Sequence, residues 1–237
     1  MMTPDRTQRP SRRAEPGGTA ATEWKGAGSP AGAHHRRSNN LSLVVALVRL
    51  HAARLARERR TMSTGEASVV LDEVASRIET VARLHRLLST KPDAPTVNLT
   101  AYLRQLCDRL TWSLPFDGTI AFSSATDDAC TLSPDQVLPL ALIVTEAVTN
   151  AIKYAHPAGI PVTVRIGCRR ERDDAVVVDV DDDGVGLPDG FDSTTDGGLG
   201  FHAMRLLARQ LGAELSFASD PLGLCVAVRL PPPGTTA

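Results

Sequence analysis

Apolar positions recur along this chain in two periods, and the change of period divides it. Leu41, Val44, Val45, Val48, Ala52 and Leu55 fall on one helical face running up to Arg60. Thr61-Met62-Ser63-Thr64-Gly65 breaks the run. A second helix is predicted over 66–89, with a seam at Leu71, Val74, Ile78, Val81, His85 and Leu88, spaced three-four-three-four-three. Two such helices joined by a short turn predict an antiparallel hairpin. One hairpin buries too little to stand alone, so a homodimer forming a four-helix bundle is expected. Lys91-Pro92-Asp93-Ala94-Pro95 reads as a linker, because Pro92 cannot continue a helix.

Past the linker the pattern alternates. A helix is predicted over 97–110 with Asn98 as N-cap, then a strand over 119–123. Ser133-Pro134-Asp135-Gln136 opens a long apolar helix reaching residue 155, with Ser133 as N-cap and Gln136 closing a capping box. Pro139 falls early in that helix, where it removes a backbone donor. Period-two runs at 162–166 and 175–181 predict strands, and an amphipathic helix over 201–211 ends at Gly212. Residues 215–218 and 225–230 read as a closing pair of strands. The fold class expected is α+β, with helices covering one face of a mixed sheet. The division expected is a disordered tail over 1–30, a helical hairpin over 31–91 and a second domain over 92–237.

Composition adjusts this picture at the edges. Residues 1–30 are Pro, Gly, Ser, Thr and Arg with Trp24 as the one aromatic, too little apolar surface to offset the entropy of ordering. Twenty-six Lys and Arg against 27 Asp and Glu give a net charge of −1, which makes no case for nucleic acid. The basic residues gather in the first sixty positions and the acids around 173–196. Cys107, Cys130, Cys168 and Cys225 are scattered without metal-type spacing, and read as buried small hydrophobes in a reducing compartment. The best membrane candidate, 41–50, is about ten residues long and carries Arg49, too short for a bilayer. No apolar signal segment is visible in 1–30. A cytoplasmic protein with no membrane span is expected.

Three stretches carry candidate chemistry. On the long apolar helix, Glu146, Asn150 and Lys153 are spaced i, i+4, i+7 and share one face. Asp181-Asp182-Asp183-Gly184-Val185-Gly186-Leu187-Pro188 follows a strand, and Gly197-Gly198-Leu199-Gly200 leads into a helix. Glycines let backbone approach a ligand, and a helix start offers free N–H groups to phosphate. Upstream, His35 and Asn39 in His34-His35-Arg36-Arg37-Ser38-Asn39 are i, i+4 neighbours, and an exposed neutral imidazole is a competent nucleophile towards phosphorus.

In this order the three downstream stretches resemble the N, G1 and G2 boxes of the GHKL ATPase superfamily, and within it the catalytic domain of sensor histidine kinases. His35-Arg36-Arg37-Ser38-Asn39 resembles the H box of the HWE/HisKA_2 class, and 77–88 is similar to that family's second dimerisation helix. The resemblance implies a dimeric four-helix bundle joined to an α/β sandwich that binds ATP with Mg2+. It implies that His35 takes the γ-phosphoryl group, with Asn39 and Glu146 in the catalytic set, and passes it to an Asp of a response-regulator receiver domain. It implies Asn150 as the Mg2+ ligand, Lys153 against phosphate charge, and Asp182 as acceptor for the adenine amino group. Gly184 and Gly186 would stand beside the base, Gly198 and Gly200 beside the phosphates, and 187–197 would be a short mobile lid.

Four departures stand out. Pro30-Ala31-Gly32-Ala33 replaces the acidic lead-in to the H box and places His35 in the first helical turn. Ser38 stands where Lys is usual, and Gly223-Leu224 replaces Gly-Thr, removing a hydroxyl expected near the phosphates. No sensor domain is legible before the H box, so a stimulus is expected through an upstream sensor protein or the tail. Two rival readings are an anti-sigma-factor serine kinase, which shares the glycine boxes but has no use for His35, and a catalytically weak phosphotransfer or scaffold dimer.

Overall fold

The computed structural model describes residues 63–88, 96–113, 116–124, 130–156 and 158–232, together with Val45, Val48, Arg49 and Ala52. His35, Asn39, the tail and the 91–95 linker lie outside the described residues. The four isolated upstream residues are helical, as the 41–55 pattern predicts.

Helix α1 (Thr64–Leu88) is followed by β1 (Val97–Asn98), α2 (Leu99–Ser113), β2 (Gly118–Ser124), β3 (Thr131–Leu132) and α3 (Pro134–Tyr154). Strands β4 (Val162–Arg170) and β5 (Val176–Asp182), helix α4 (Leu199–Gln210), and strands β6 (Glu214–Asp220) and β7 (Gly223–Leu230) complete the order. The main sheet has five strands in the order β2-β4-β5-β7-β6. Strands β2 and β4 are parallel, and the long connection between them carries α3, as parallel pairing requires. The other neighbours are antiparallel.

Period two decides which face meets the helices. Val162, Val164, Ile166 and Cys168 of β4, Val176, Val178 and Val180 of β5, and Val226, Val228 and Leu230 of β7 are buried. They form one core with Leu99, Leu103, Leu140, Ile143, Met204 and Leu207 from the helices. The alternate positions face away from this core. There Arg169 pairs with Asp179, and Arg229 with Glu171 and Asp173, so the uncovered face is an ion-paired surface.

Helix α3 is the centre of the domain. It is apolar nearly all round, which is the pattern of a helix buried on most sides. Among the described residues it is the one helix long and apolar enough to cross a bilayer, and most of it is buried inside the fold. Its start is closed by Gln136, whose Oε1 accepts from the Ser133 N–H at 3.2 Å and the Ser133 hydroxyl at 3.0 Å. Pro139 lies in the second turn, so the Asp135 carbonyl loses the donor it would have had four residues on.

Two features differ from the sequence reading. The α1 seam is divided: Val81 is buried, Ile78 is 39% exposed and Leu71 67% exposed. Leu84, off the predicted seam, is buried with Val81 against the hydrophobic core, because α1 packs on α3. The helix expected from 97 begins at Leu99 instead. Asn98 caps it, accepting from Ala101 N–H at 2.9 Å, while Val97 and Asn98 pair with Leu132 and Thr131. Cys107, Cys130 and Cys168 are buried and Cys225 half-buried, all free thiols, as expected for small core groups.

Candidate nucleotide site

The site begins at the exposed end of α3, where the apolar helix turns its polar stripe outward. Glu146 and Asn150 are half-buried, and Lys153, one turn further, is exposed. Across from them stands α4, whose N-cap is Gly198 and whose second residue is Gly200. A Cβ on Gly200 would lie 3.0 Å from Glu146 Oε2 and 3.3 Å from each Asn150 amide atom. The bare glycine is therefore what lets the start of α4 approach the stripe. Asn150 Nδ2 is buried without a hydrogen-bond partner. A buried amide left unpaired costs on the order of 1–3 kcal/mol, a cost a ligand acceptor would remove.

The second wall comes from the end of β5. Asp182 Oδ1 accepts from Gly184 N–H at 2.9 Å and from Leu224 N–H at 3.2 Å. Gly184 packs onto α3 so tightly that a Cβ would sit 2.5 Å from the Ala155 Cα. Val185 N–H donates to the Ala155 carbonyl at 2.9 Å, and Gly186 turns with φ +71° against the Asp220 carbonyl and Ser219. Asp182 thus stands where α3, the glycine turn and the β6–β7 hairpin meet. The sequence reading put the Gly223-Leu224 departure at the phosphates. Its geometry puts it here instead, since Leu224 donates to Asp182, whereas Gly198 and Gly200 lie at the Asn150 end.

One tie was not legible in sequence. Asp183 Oδ1 accepts from Thr163 N–H at 2.8 Å and lies 3.1 Å from His156 Nε2, fastening the glycine turn to β4 and the end of α3. These partners are 20 and 27 residues away, so no local motif announces them. Burial opposes ionisation of Asp183, but bonds from Thr163 and then His156 outweigh it and hold the carboxyl below its ordinary value. The sign follows. Stability from this group is complete above the ordinary carboxylate value near 4 and is lost as pH falls through the lower folded value. With 38% of its side chain exposed, water screens the pair and the effect is modest. Asp183→Asn is expected to melt below wild type at pH 7 and to converge with it towards pH 3. An equal gap at both pH values in thermal melts would refute this.

The segment 187–197 joins the two walls. Leu187 N–H donates to Ser219 Oγ at 2.7 Å. Asp192 closes a turn by accepting from Thr194 N–H at 2.8 Å and the Thr194 hydroxyl at 2.6 Å. Phe191 packs against Phe201 with tilted rings 5.2 Å apart between centroids, and Phe201 likewise against Phe217 at 5.0 Å.

A cavity of about 280 Å³ also touches Asp182, but it is not this cleft. Arg165, Asp181, Cys225 and Ala218 line it and are consecutive partners in register, opposite in parity to the buried Val164, Val180 and Val226. It opens on the uncovered side of the sheet. Burial and the adjacent Asp181 push the Cys225 thiol up to about 12, so that thiol is not nucleophilic near neutrality.

The donor set suits a nucleotide with its cation. A carboxamide and glycines at a helix start face one another at one end, and a carboxylate stands at the other. Among the described residues no group of three His, Cys, Asp or Glu is placed to hold a metal. A cation here would share Asn150 with phosphate oxygens and water, the usual habit of Mg2+.

Two family models match: "Histidine kinase" over residues 33–114, and "Histidine kinase-, DNA gyrase B-, and HSP90-like ATPase" over 135–234. The chain is 33% identical over 201 residues to the sensor histidine kinase PdtaS of Mycobacterium tuberculosis, covering 84% of this chain and 38% of that protein. It is 24% identical over 202 residues to blue-light-activated histidine kinase 2 of Erythrobacter litoralis, covering 83% of this chain and 55% of that one. Among solved structures, the blue-light activated histidine kinase of Erythrobacter litoralis is similar with a TM-score of 0.63 and 25% identity, over 85% of this chain and 58% of that chain. The chain therefore spans between a third and three-fifths of these relatives.

Proposed function

The chain belongs to the histidine kinases, joining a HisKA_2 segment to a GHKL-type ATPase domain, and on that basis we propose that it phosphorylates its own His35 from ATP and passes the group to an aspartate of a response-regulator receiver domain. The ATPase domain implies ATP as the nucleotide. The observation that carries the reading is the unpaired, buried Asn150 amide facing the Gly200 backbone.

In this reading an imidazole nitrogen of His35 attacks the γ-phosphorus, a P–N bond forms, the bond to the β-bridging oxygen breaks, and ADP leaves. The Asp carboxylate of the receiver then attacks the same phosphorus, the P–N bond breaks, and the imidazole is restored. Catalysis of such a transfer is positioning and charge stabilisation. Asn150 would hold Mg2+, which neutralises charge on the phosphate oxygens when bound. Lys153 adds positive charge at the mouth, Asp182 accepts from the adenine amino group, and Gly184 and Gly186 give the base room. Gly198 and Gly200 bring α4 N–H groups to the phosphates. Glu146, beside Gly200, and Asn39, four residues after His35 in the sequence, complete the catalytic set.

A homodimer fits the exposed apolar side chains Val45, Val48, Leu71 and Ile78, which a second copy would cover. The serine-kinase alternative is less favoured because α1 is built into the core through Val81 and Leu84, which makes the helical segment part of the catalytic unit.

The test is incubation of the full chain with γ-labelled ATP and Mg2+. The label is expected to be acid-labile and alkali-stable, the behaviour of a phosphoramidate. An acid-stable label would transfer the case to serine chemistry, and ATP binding without labelling would overturn self-phosphorylation.

A further inference from the structure

The turn at 192–196 is closed on itself. Asp196 N–H donates to the Asp192 carbonyl at 2.7 Å, and Asp192 N–H to Asp196 Oδ2 at 3.0 Å. What joins this turn to the helix behind it is Arg205. Its Nη1 donates to the Ser193 carbonyl and its Nη2 to the Asp196 carbonyl at 2.9 Å. Arg205 lies on α4 one turn after Phe201, so one face of the helix presents an apolar anchor for Phe191 and a polar anchor for the turn.

Chemistry explains the choice of residue. Two carbonyls three positions apart are bridged by a planar fork of donors, which an ammonium on a flexible stem does not reproduce. His202 Nδ1 is 3.3 Å from Arg205 Nη2 and 3.1 Å from the Gly198 carbonyl. In any one tautomer that ring nitrogen either donates to the carbonyl or accepts from the guanidinium, and not both, so the carbonyls of Ser193 and Asp196 are Arg205's secure partners. The consequence lies at the next peptide. In a trans peptide the C=O and N–H point in opposite directions. Arg205 holds the Asp196 carbonyl, and so turns the Gly197 N–H away from itself. Gly197, at φ +97°, leads directly into Gly198 and the start of α4.

We propose that Arg205 is a positioning residue for the polyphosphate: it clamps the lid turn to α4 and orients the peptide ahead of Gly197, so that the lid recognises the phosphate chain and not the base. This rests on the nucleotide reading above and deepens it. Arg205 does not touch the reacting atoms. Its effect passes through the carbonyls of Ser193 and Asp196.

The test uses the full chain with Mg2+ and compares two probes, a non-hydrolysable ATP analogue and AMP, by titration calorimetry. Arg205→Met is expected to weaken the triphosphate analogue about tenfold and AMP less than twofold, with Arg205→Lys in between. Amide hydrogen exchange without nucleotide supplies a second readout: Thr194 to Gly197 should exchange faster in Arg205→Met, while α4 keeps its protection. Equal weakening of both probes would mean a general structural role and overturn the proposal, as would unchanged affinity for both. Failure of wild type to bind either probe would overturn the nucleotide reading itself.

Discussion

Asn150→Ala is expected to lower self-phosphorylation about 100-fold or more while leaving the apo protein as stable as wild type, or slightly more so. The two halves have one cause. Asn150 Nδ2 is buried without a partner, so the folded apo chain gains nothing from it and bears its desolvation. Removing it relieves on the order of 1 kcal/mol, offset in part by lost packing. At the proposed site the same amide meets the phosphates and their cation. Loss of one preorganised electrostatic partner of this kind costs about 10²–10³ in rate. His35→Gln should also abolish labelling, for a different reason. It removes the proposed nucleophile and leaves the candidate nucleotide site intact. Thermal melts separate the two: at about 100 times Kd, nucleotide adds about 2.7 kcal/mol, which His35→Gln should keep and Asn150→Ala should lose. Wild-type labelling by Asn150→Ala would remove that residue from the site.

Gly223→Ala is expected to produce the largest loss of stability, about 3 kcal/mol, and with it nucleotide binding. Gly223 is buried with φ +147°, a conformation that L side chains rarely adopt. A Cβ there would overlap the Asp182 carbonyl oxygen. That obstacle is backbone and not the end of a flexible side chain, so the backbone of β5 or β7 would have to move. Either shift disturbs the Leu224–Asp182 bond at the Asp182 wall of the site. For a chain of this size the loss corresponds to a drop in Tm of about 6–12 °C. Gly212→Ala is the matched control, with φ +61° and open space around its Cβ. It should cost about 1 kcal/mol, from backbone conformation alone. Equal melting of the two variants would show that the overlap at Gly223 relaxes freely.

Local chemistry made much of this protein legible. The run from Ser133 to Tyr154 declares its helix through Pro134 at the first position, Gln136 reaching back to Ser133, and apolar residues on nearly every face. Asp182, Gly184 and Gly186, and then Gly198 and Gly200, are close enough in sequence for their spacing to be a signal. What escaped has no local period. Strands β1 and β3 are two residues each, too short to show alternation, and exist because they pair. Leu84 is buried, and Leu71 is not, because burial along α1 follows its packing on α3 and not its own period. Leu224 looked like a missing hydroxyl at the phosphates until the β6–β7 hairpin placed its N–H on Asp182.

The sequence by itself determined the longer elements, the buried side of the strands, and the residue types gathered at the candidate site, because period, capping and glycine content act over a few residues. Only the tertiary structure decided which of those groups face one another. Gly200 against Asn150, Asp183 against Thr163 and His156, and Arg205 against the carbonyls of the lid all join segments far apart in the chain or turned by an intervening loop. Such pairings depend on how α3, α4 and the sheet pack, and the burial that fixes that packing is shared by the whole core.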